Sequence, residues 1–404
     1  MAKNNFRSFF PIFKKNPKLI YLDCASTTLK PKKTIDSILS FYKNNGLSLN
    51  NSGSLSLDNK FSIEQTRNKI ADFINSMPEE IIFTRGTTES LNLLSLILSK
   101  TIKPGDEIIT SELEHNSSLF PWLKIAKEKK ANLIFVPLDK ENKITFFNFK
   151  KVFSEKIKII ILTHVSNVLG YETPIKQIMK FVREKTGTKI LVILDCAQSI
   201  SQVKINVKEL DVDFIAFSSH KIYGPFGLGI LFGKKKLLNQ FDSVQLGGRN
   251  IKFFNSENNF VFSDLPEKFE PGTPNIADII AFKKSLEFIE NIGFDEIKKK
   301  NKEIIPYLIQ NLKKIPNINI FNENTDHNIL LFNFDFIHAH DVESFLSQKG
   351  IYIRTGNYCS HFTSKILGKK NNTIRVSIGI HNNKEDIDIF VQNLKKISIF
   401  FGIN

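Results

Sequence analysis

Two kinds of chemistry are written into this chain, one around a lysine and one around a cysteine. The lysine is Lys221, at the end of "DFIAFSSHK", where an apolar run delivers Ser218, Ser219, His220 and Lys221 in succession. An ammonium carried by so apolar a run loses hydration, so its pKa falls and the amine can form a Schiff base with a carbonyl. An exposed loop lysine is the alternative from these residues alone. "KILVILDCAQS" ends a second apolar run on Asp195, with Gln198 three residues on. A carboxylate buried there needs a partner to offset its desolvation, either a protonated ring nitrogen of a cofactor or the start of the next helix. "TRGTTES" puts Gly86, Thr87 and Thr88 where backbone N–H groups and hydroxyls could cradle a phosphate. The same stretch also reads as an ordinary helix cap with Glu89 in the first turn. The cysteine is Cys359 in "RTGNYCSHF", the last of three in the chain, with Arg354 five residues before it and His361 two after. In this basic setting it reads either as a nucleophilic thiol or as a structural one.

The elements that must carry these residues alternate in type. Strands are predicted at "EEIIFT" (79–84), "DEIIT" (106–110), "NLIFVPL" (132–138), "IKIIILTHV" (157–165), "KILVILD" (189–195), "DFIAFSS" (213–219) and "GILFG" (229–233). Helical stretches such as "ESLNLLSLILSK" and "PIKQIMKFVREKTG" lie between them, which argues for a mainly parallel α/β sheet. In such a sheet the ligand crevice lies at the carboxyl ends of the strands, where Asp195 and Lys221 fall. The glycines of "GPFGLG" precede a strand rather than a helix, so they are not a dinucleotide fingerprint. After "FEPGTPN" the pattern changes. A helix "IADIIAFKKSLEFIENIG", stopped by Gly293, leads to strands "NILLFNFDF", "IYIRT" and "TIRVSIGI" and helices "DVESFLSQKG" and "KEDIDIFVQNLKKI". The expected organisation is an arm over residues 1–20 packing on the small unit, a large unit over 21–275, and a smaller α+β unit over 276–404.

Composition narrows the class. A chain of 404 residues can bury a large core. Its formal charge of +15 is spread over short, separate runs ("GKKKLL", "IKKKNK", "LGKKNN"), and Lys, Asn, Ile and Phe are all abundant. Dispersed charge of this kind predicts no nucleic-acid partner. No apolar run approaches a membrane span, so no membrane role is expected. Three cysteines cannot form a disulfide framework and point to a reducing, cytoplasmic setting. The first 22 residues contain no acid but also no long apolar core, and are expected to be an arm rather than a targeting peptide. No metal site is expected.

"SSHK" followed by Gly227-Leu228-Gly229 resembles the lysine signature of the class V aminotransferase-fold enzymes that use pyridoxal 5′-phosphate. "YLDCASTT", "TRGTTES", "ELEHNSSLFPW", "HVSNVLG", "LDCAQS", "EPGTPN", "RTGNYC" and "IRVSIG" follow in the family's order over nearly the whole chain. Within the family the chain most resembles cysteine desulfurases, specifically the Suf-type group with a short active-site loop. The resemblance implies fold type I, with a large cofactor-binding domain and a small α+β domain carrying the cysteine loop. It implies that Lys221 carries pyridoxal 5′-phosphate, His115 stacks on its ring, Asp195 pairs with the ring nitrogen, and Gln198 and Asn167 sit at the ring or substrate. Thr87, Thr88, Ser218 and His220 would bind the phosphate, and Thr273 the phosphate of the other subunit of a homodimer. Arg375 would clamp the substrate carboxylate with Arg354 beside it. The implied reaction turns L-cysteine into L-alanine, with Lys221 moving the α-proton and Cys359 taking the sulfur as a persulfide. A sulfur-acceptor or scaffold protein of iron–sulfur cluster assembly would take it next. A selenocysteine lyase or another β-eliminating relative is the nearest alternative, and a non-catalytic basic scaffold protein the alternative of another class. The chain departs from the pattern around "LNNSGSLSLDN", which lacks a His-Arg-Gly run, and at "GNYC", where a His-rich step is usual. Cys24 and Cys196 are expected to be buried bystanders.

Overall fold

The computed structural model describes residues 6–255, 259–367 and 372–402. The first five residues of the arm and most of the basic run "LGKKNN" therefore lie outside the described residues.

Every strand expected between residues 79 and 233 forms, and together they build one seven-stranded sheet. Its spatial order is Ile81–Thr84, Gly229–Gly233, Phe214–Ser218, Leu191–Asp195, Ile157–Thr163, Glu107–Ser111, Asn132–Val136. The strand Gly229–Gly233 runs antiparallel to both neighbours, and the remaining pairs are parallel. Unbroken Ile, Leu and Val runs suit strands covered on both faces. In Ile157–Thr163 the side chains of Ile159, Ile160, Ile161 and Leu162 are fully buried. Leu91, Leu94, Trp122 and Ile125, from helices Thr87–Leu98 and Asn116–Lys129, pack in the core on one face. Ile178 and Val182 of helix Ile175–Thr186 pack in the core on the other.

The C-terminal unit is built on a four-stranded antiparallel sheet ordered Ile318–Ile320, Ile329–Phe334, Ile374–Ser377, Arg354–Thr355. "IYIRT" reads as one strand but divides in two. Ile351–Tyr352 pairs in parallel with Ile20–Tyr21, and Arg354–Thr355 joins the four-stranded sheet. Ile353, buried between the two, is the pivot that turns the chain towards the cysteine loop. The described part of the arm touches both units, and Phe10 also packs on Tyr223 and Phe288 beside the large core at centroid distances of 5.9 and 5.7 Å. The Arg7 guanidinium donates to Asp386 at 2.8 Å and to the Leu19 carbonyl at 2.9 Å. Phe10 and Phe13 rest on the His381 ring at centroid distances of 5.6 and 5.3 Å.

Beyond the sequence boundary near 275, helix Ile276–Ile292 packs on helices Lys32–Asn44 and Ser54–Ile74 and buries Phe282, Leu286 and Ile289 in the large core. The two cores meet along helix Phe294–Leu312, where Ile297 belongs to the large one and Ile304, Leu308 and Leu312 to the small one. The stretch 49–59, read from sequence as a loop, already contains the first turns of helix Ser54–Ile74. Asn45 and Asn59 close it by exchanging side-chain hydrogen bonds of 2.8 and 3.1 Å.

A buried ion pair ties this helix to the "FEPGTPN" turn. Arg67, 1% exposed, donates to both oxygens of Glu270 at 2.7 and 3.0 Å. Glu270 also accepts from the Phe83 amide at 2.8 Å. Removing one member strands the other charge in an apolar interior, so Arg67→Ala is expected to lose about 3–5 kcal/mol of stability. Urea unfolding of the variant beside the parent measures this, and an unchanged midpoint would refute it.

Candidate active site

The carboxyl ends of the large sheet open on a cavity of about 320 Å³ whose walls come from both units. Strand Leu191–Asp195 delivers Asp195, and the loop beyond Ile157–Thr163 delivers Asn167. The short 3-10 turn Ser219–Lys221 after strand Phe214–Ser218 delivers His220 and Lys221. The chain crosses tightly here, since a Cβ added at Gly229 would fall on the backbone of Gly86. That approach sets Gly86 beside Ser218 and opens helix Thr87–Leu98 towards the cavity without a side-chain cap. The small sheet contributes Arg354 and Arg375, paired across adjacent strands, and the loop after Arg354 contributes Tyr358 and Cys359.

Lys221, Cys359, His115, Thr87, Thr88, Asn167, Asp195, Gln198, Ser218, His220, Arg375 and Arg354 all line this one cavity. Thr273 does not. It stands exposed on a separate groove of about 480 Å³ with Arg85 and Glu89. Ala25, Ser26, Ser117, Thr163, Ala197 and Tyr358 also line the cavity and were not singled out from the sequence. The one signal is adjacency, and it covers only Ser117, Ala197 and Tyr358, each within two residues of a chosen position. His361 is not among the lining residues, and its ring packs edge-on to Phe120 at 5.7 Å. Cys24 and Cys196 are buried, while Cys359 is exposed.

Burial sets the protonation of the cavity. It pushes the Lys221 ammonium below the ordinary lysine range, against the pull of Asp195 and with the help of Arg375. Asp195, 4% exposed, is raised by burial, although its Oδ1 accepts from the Ala197 amide at 2.9 Å. His115 is pushed down to about 4, chiefly by burial and then by Lys221 and Arg375. Its Nδ1 accepts the Ser117 amide at 3.1 Å, so the neutral ring carries its proton on Nε2. His220 also falls to about 4, by burial and then Lys221.

Polar contacts already order much of the wall. Ser218 Oγ accepts from the Thr87 amide at 2.8 Å and lies 2.7 Å from its hydroxyl. Thr88 and Ser117 pair through their hydroxyls at 2.7 Å. Gln198 Nε2 donates to the Ala25 carbonyl at 2.8 Å, leaving its amide oxygen towards other partners. Arg375 is buried, with its terminal nitrogens donating to the Asn167 carbonyl at 2.8 Å, to Asp23 at 3.0 Å and to Ser26 at 2.9 Å. Its Nε is buried without a partner among the described residues. Beneath His115, Glu114 accepts from the hydroxyls of Ser111 and Ser118 at 2.7 and 2.9 Å and from the Thr163 amide at 2.9 Å.

The Aminotransferase class-V family matches residues 20–390. The chain is 36% identical to a cysteine desulfurase of Wigglesworthia glossinidia brevipalpis, over 98% of this chain and 97% of the relative. It is also 36% identical to a probable cysteine desulfurase of Halalkalibacterium halodurans, covering 100% and 99%. Among solved structures, the apo cysteine desulfurase of Thermococcus onnurineus NA1 superposes with a TM-score of 0.92 at 30% identity, covering 98% and 99%. The cysteine desulfurase CsdA of Escherichia coli gives 0.90 at 29%, covering 98% of each chain.

Burial raises the Glu114 carboxyl to about 8, with the charge of Asp195 adding to the shift. In the folded state it keeps its proton up to about pH 8, whereas in the unfolded chain it releases it near the ordinary value of 4.5. Between those values the folded state binds more protons, so its contribution is present below the lower limit and lost as pH rises through the upper one. Urea unfolding of the parent and Glu114→Gln at pH values across this window is expected to show the parent losing stability relative to the variant as pH rises. A constant difference would refute the shift.

Proposed function

We propose, from the premise that the chain belongs to the class-V aminotransferase family and is a cysteine desulfurase, that its sulfur leaves the pocket as a persulfide on Cys359 for a protein acceptor in iron–sulfur cluster assembly. One observation carries the reading: Lys221 from the large unit and Cys359 from the small one face a single cavity, together with the buried Arg375.

The cofactor is pyridoxal 5′-phosphate, and the residues present fit it. The start of helix Thr87–Leu98, whose N-cap Gly86 has no side chain, with the hydroxyls of Thr87, Thr88 and Ser218 and the ring of His220, suits a phosphate. Asp195, desolvated at a strand end, suits a cationic ring nitrogen, and the neutral His115 suits the ring's face. Gln198 and Asn167 would meet the ring's oxygen or the substrate. When bound, the cofactor supplies an electron sink that lets the Cα–H bond of an attached amino acid break.

The chain's own residues do the rest. Arg375, in the cavity wall, meets the L-cysteine carboxylate, while Asn167, Asp23 and Ser26 hold the guanidinium still. Arg354, exposed at the rim, adds positive charge beside it. Lys221, whose ammonium form burial disfavours, accepts the α-proton at Nζ. The Cys359 thiolate then attacks the substrate sulfur. The new S–S bond forms as the C–S bond breaks, and the electron pair stays with the substrate carbon, which takes a proton to give alanine. Cys359 is exposed, so the sulfur reaches the surface without a long loop movement and the acceptor docks over the cavity mouth.

The function is shared across a homodimer. Thr273 lies away from the cavity of its own chain, on a turn pinned by Glu270 and by the Gly272 amide on the Gly248 carbonyl at 2.7 Å. That placement supports a contact with the partner's phosphate.

Lys221→Ala and Cys359→Ala are each expected to abolish alanine and sulfide release from L-cysteine. In the parent, mass spectrometry is expected to find a persulfide on Cys359, and full activity in either variant would sink the assignment. Light scattering is expected to give the mass of a dimer. Thr273→Ala is expected to weaken cofactor retention about tenfold, the worth of one charge-assisted hydrogen bond. Retention equal to the parent would overturn the shared site.

A further inference from the structure

The cysteine loop adopts a conformation that it would not keep unaided. Tyr358 and Cys359 are consecutive non-glycine residues in the left-handed region, at φ 52° and 55°. Side chains crowd the backbone there, so such residues persist only where their surroundings hold them. Asn167 Nδ2 donates to the Tyr358 carbonyl at 2.8 Å, which fixes the residue before the thiol. The residue after it is fixed from another direction. The Asn116 amide, at the open start of helix Asn116–Lys129, donates to the Cys359 carbonyl at 2.8 Å. The Asn116 side-chain oxygen accepts the His361 amide at 3.0 Å.

Resting on the desulfurase reading, we propose that Asn116 is a positioning residue that sets where the Cys359 thiol stands, by gripping the Cys359 carbonyl and the His361 amide just beyond it. The first amides of a helix have no partner inside it, and here one of them finds its acceptor in the cysteine loop. The grip belongs to the same helix end that orients His115, whose Nδ1 accepts from Ser117, so ring and thiol are referred to one rigid element. Asn116 itself is not among the residues lining the cavity, and its effect passes entirely through the loop. Every substitution keeps the backbone donor, so the side-chain oxygen is the part that can be tested.

The decisive comparison is Asn116→Leu, which keeps the shape and loses the oxygen, against Asn116→Asp, which keeps an oxygen acceptor. Asn116→Ala serves as the third variant should the leucine fail to fold. In the holoenzyme, the oxygen-less variants are expected to lose roughly ten- to a hundredfold in kcat for alanine formation, as for a displaced reacting group. KM for L-cysteine should stay close to the parent's, because Arg375 and Lys221 are untouched. Amide hydrogen exchange of the 357–362 segment should quicken in those variants and stay slow in Asn116→Asp, whose kcat should recover. Parent-like kcat and exchange in the oxygen-less variants would overturn the proposal. So would an Asn116→Asp as impaired as they are. A parent enzyme that forms no persulfide on Cys359 would instead refute the functional reading, and the exchange comparison would still decide the grip.

Discussion

The site hangs on a single buried guanidinium. Arg375 is 3% exposed on a strand of the small sheet, and a cation there must be met by oxygen on several sides. The partners come from far along the chain: the Asn167 carbonyl beyond a large-sheet strand, and Asp23 and Ser26 in the turn after the first short strand. The Tyr358 ring lies 5.1 Å beneath the guanidinium carbon. Satisfying one charge therefore brings together both units, the N-terminal turn and the cysteine loop. The guanidinium's remaining Nε is buried with no partner among the described residues.

The same dry interior assigns protonation. Lys221 and His115 lose charge because burial penalises their cationic forms, and Asp195 and Glu114 rise because burial penalises the anionic ones. One desolvation effect thus covers a lysine shifted towards its free amine, a neutral imidazole and a protonated Glu114 carboxyl along one stretch of wall. The Arg375 fork is met by a carboxylate, a hydroxyl and a carbonyl at once.

The strands of the large sheet were legible because each is an unbroken apolar run closed by polar or glycine residues, and two-sided burial demands that pattern. Their order was not legible, and neither was the reversal of Gly229–Gly233, since strand pairing leaves no trace in a strand's own composition. Helix Ser54–Ile74 is hard to read from sequence because its outward face carries Leu57 and Phe61, which blurs the helical period. "IYIRT" is one strand to any local reading, and only the competing partners at either end split it. Ser26 and Tyr358 are not legible as cavity residues, although Tyr358 adjoins Cys359, because nothing local says that a side chain points into a cavity.

The sequence by itself determined the chemistry available: a lysine and an aspartate at strand ends, a threonine pair opening a helix, two arginines and one cysteine in the last unit, in an order that resembles one family. Burial of apolar runs made that much unavoidable, because it fixes which strand ends carry polar groups. Tertiary structure decided how those groups meet. It set Cys359 in a left-handed turn against the start of the His115 helix, left Arg375 one free donor, and kept Thr273 out of its own chain's cavity. These depend on contacts between residues hundreds of positions apart. Spacing along the chain does not encode such contacts, whereas the need to satisfy every buried polar group does enforce them once the chain has closed.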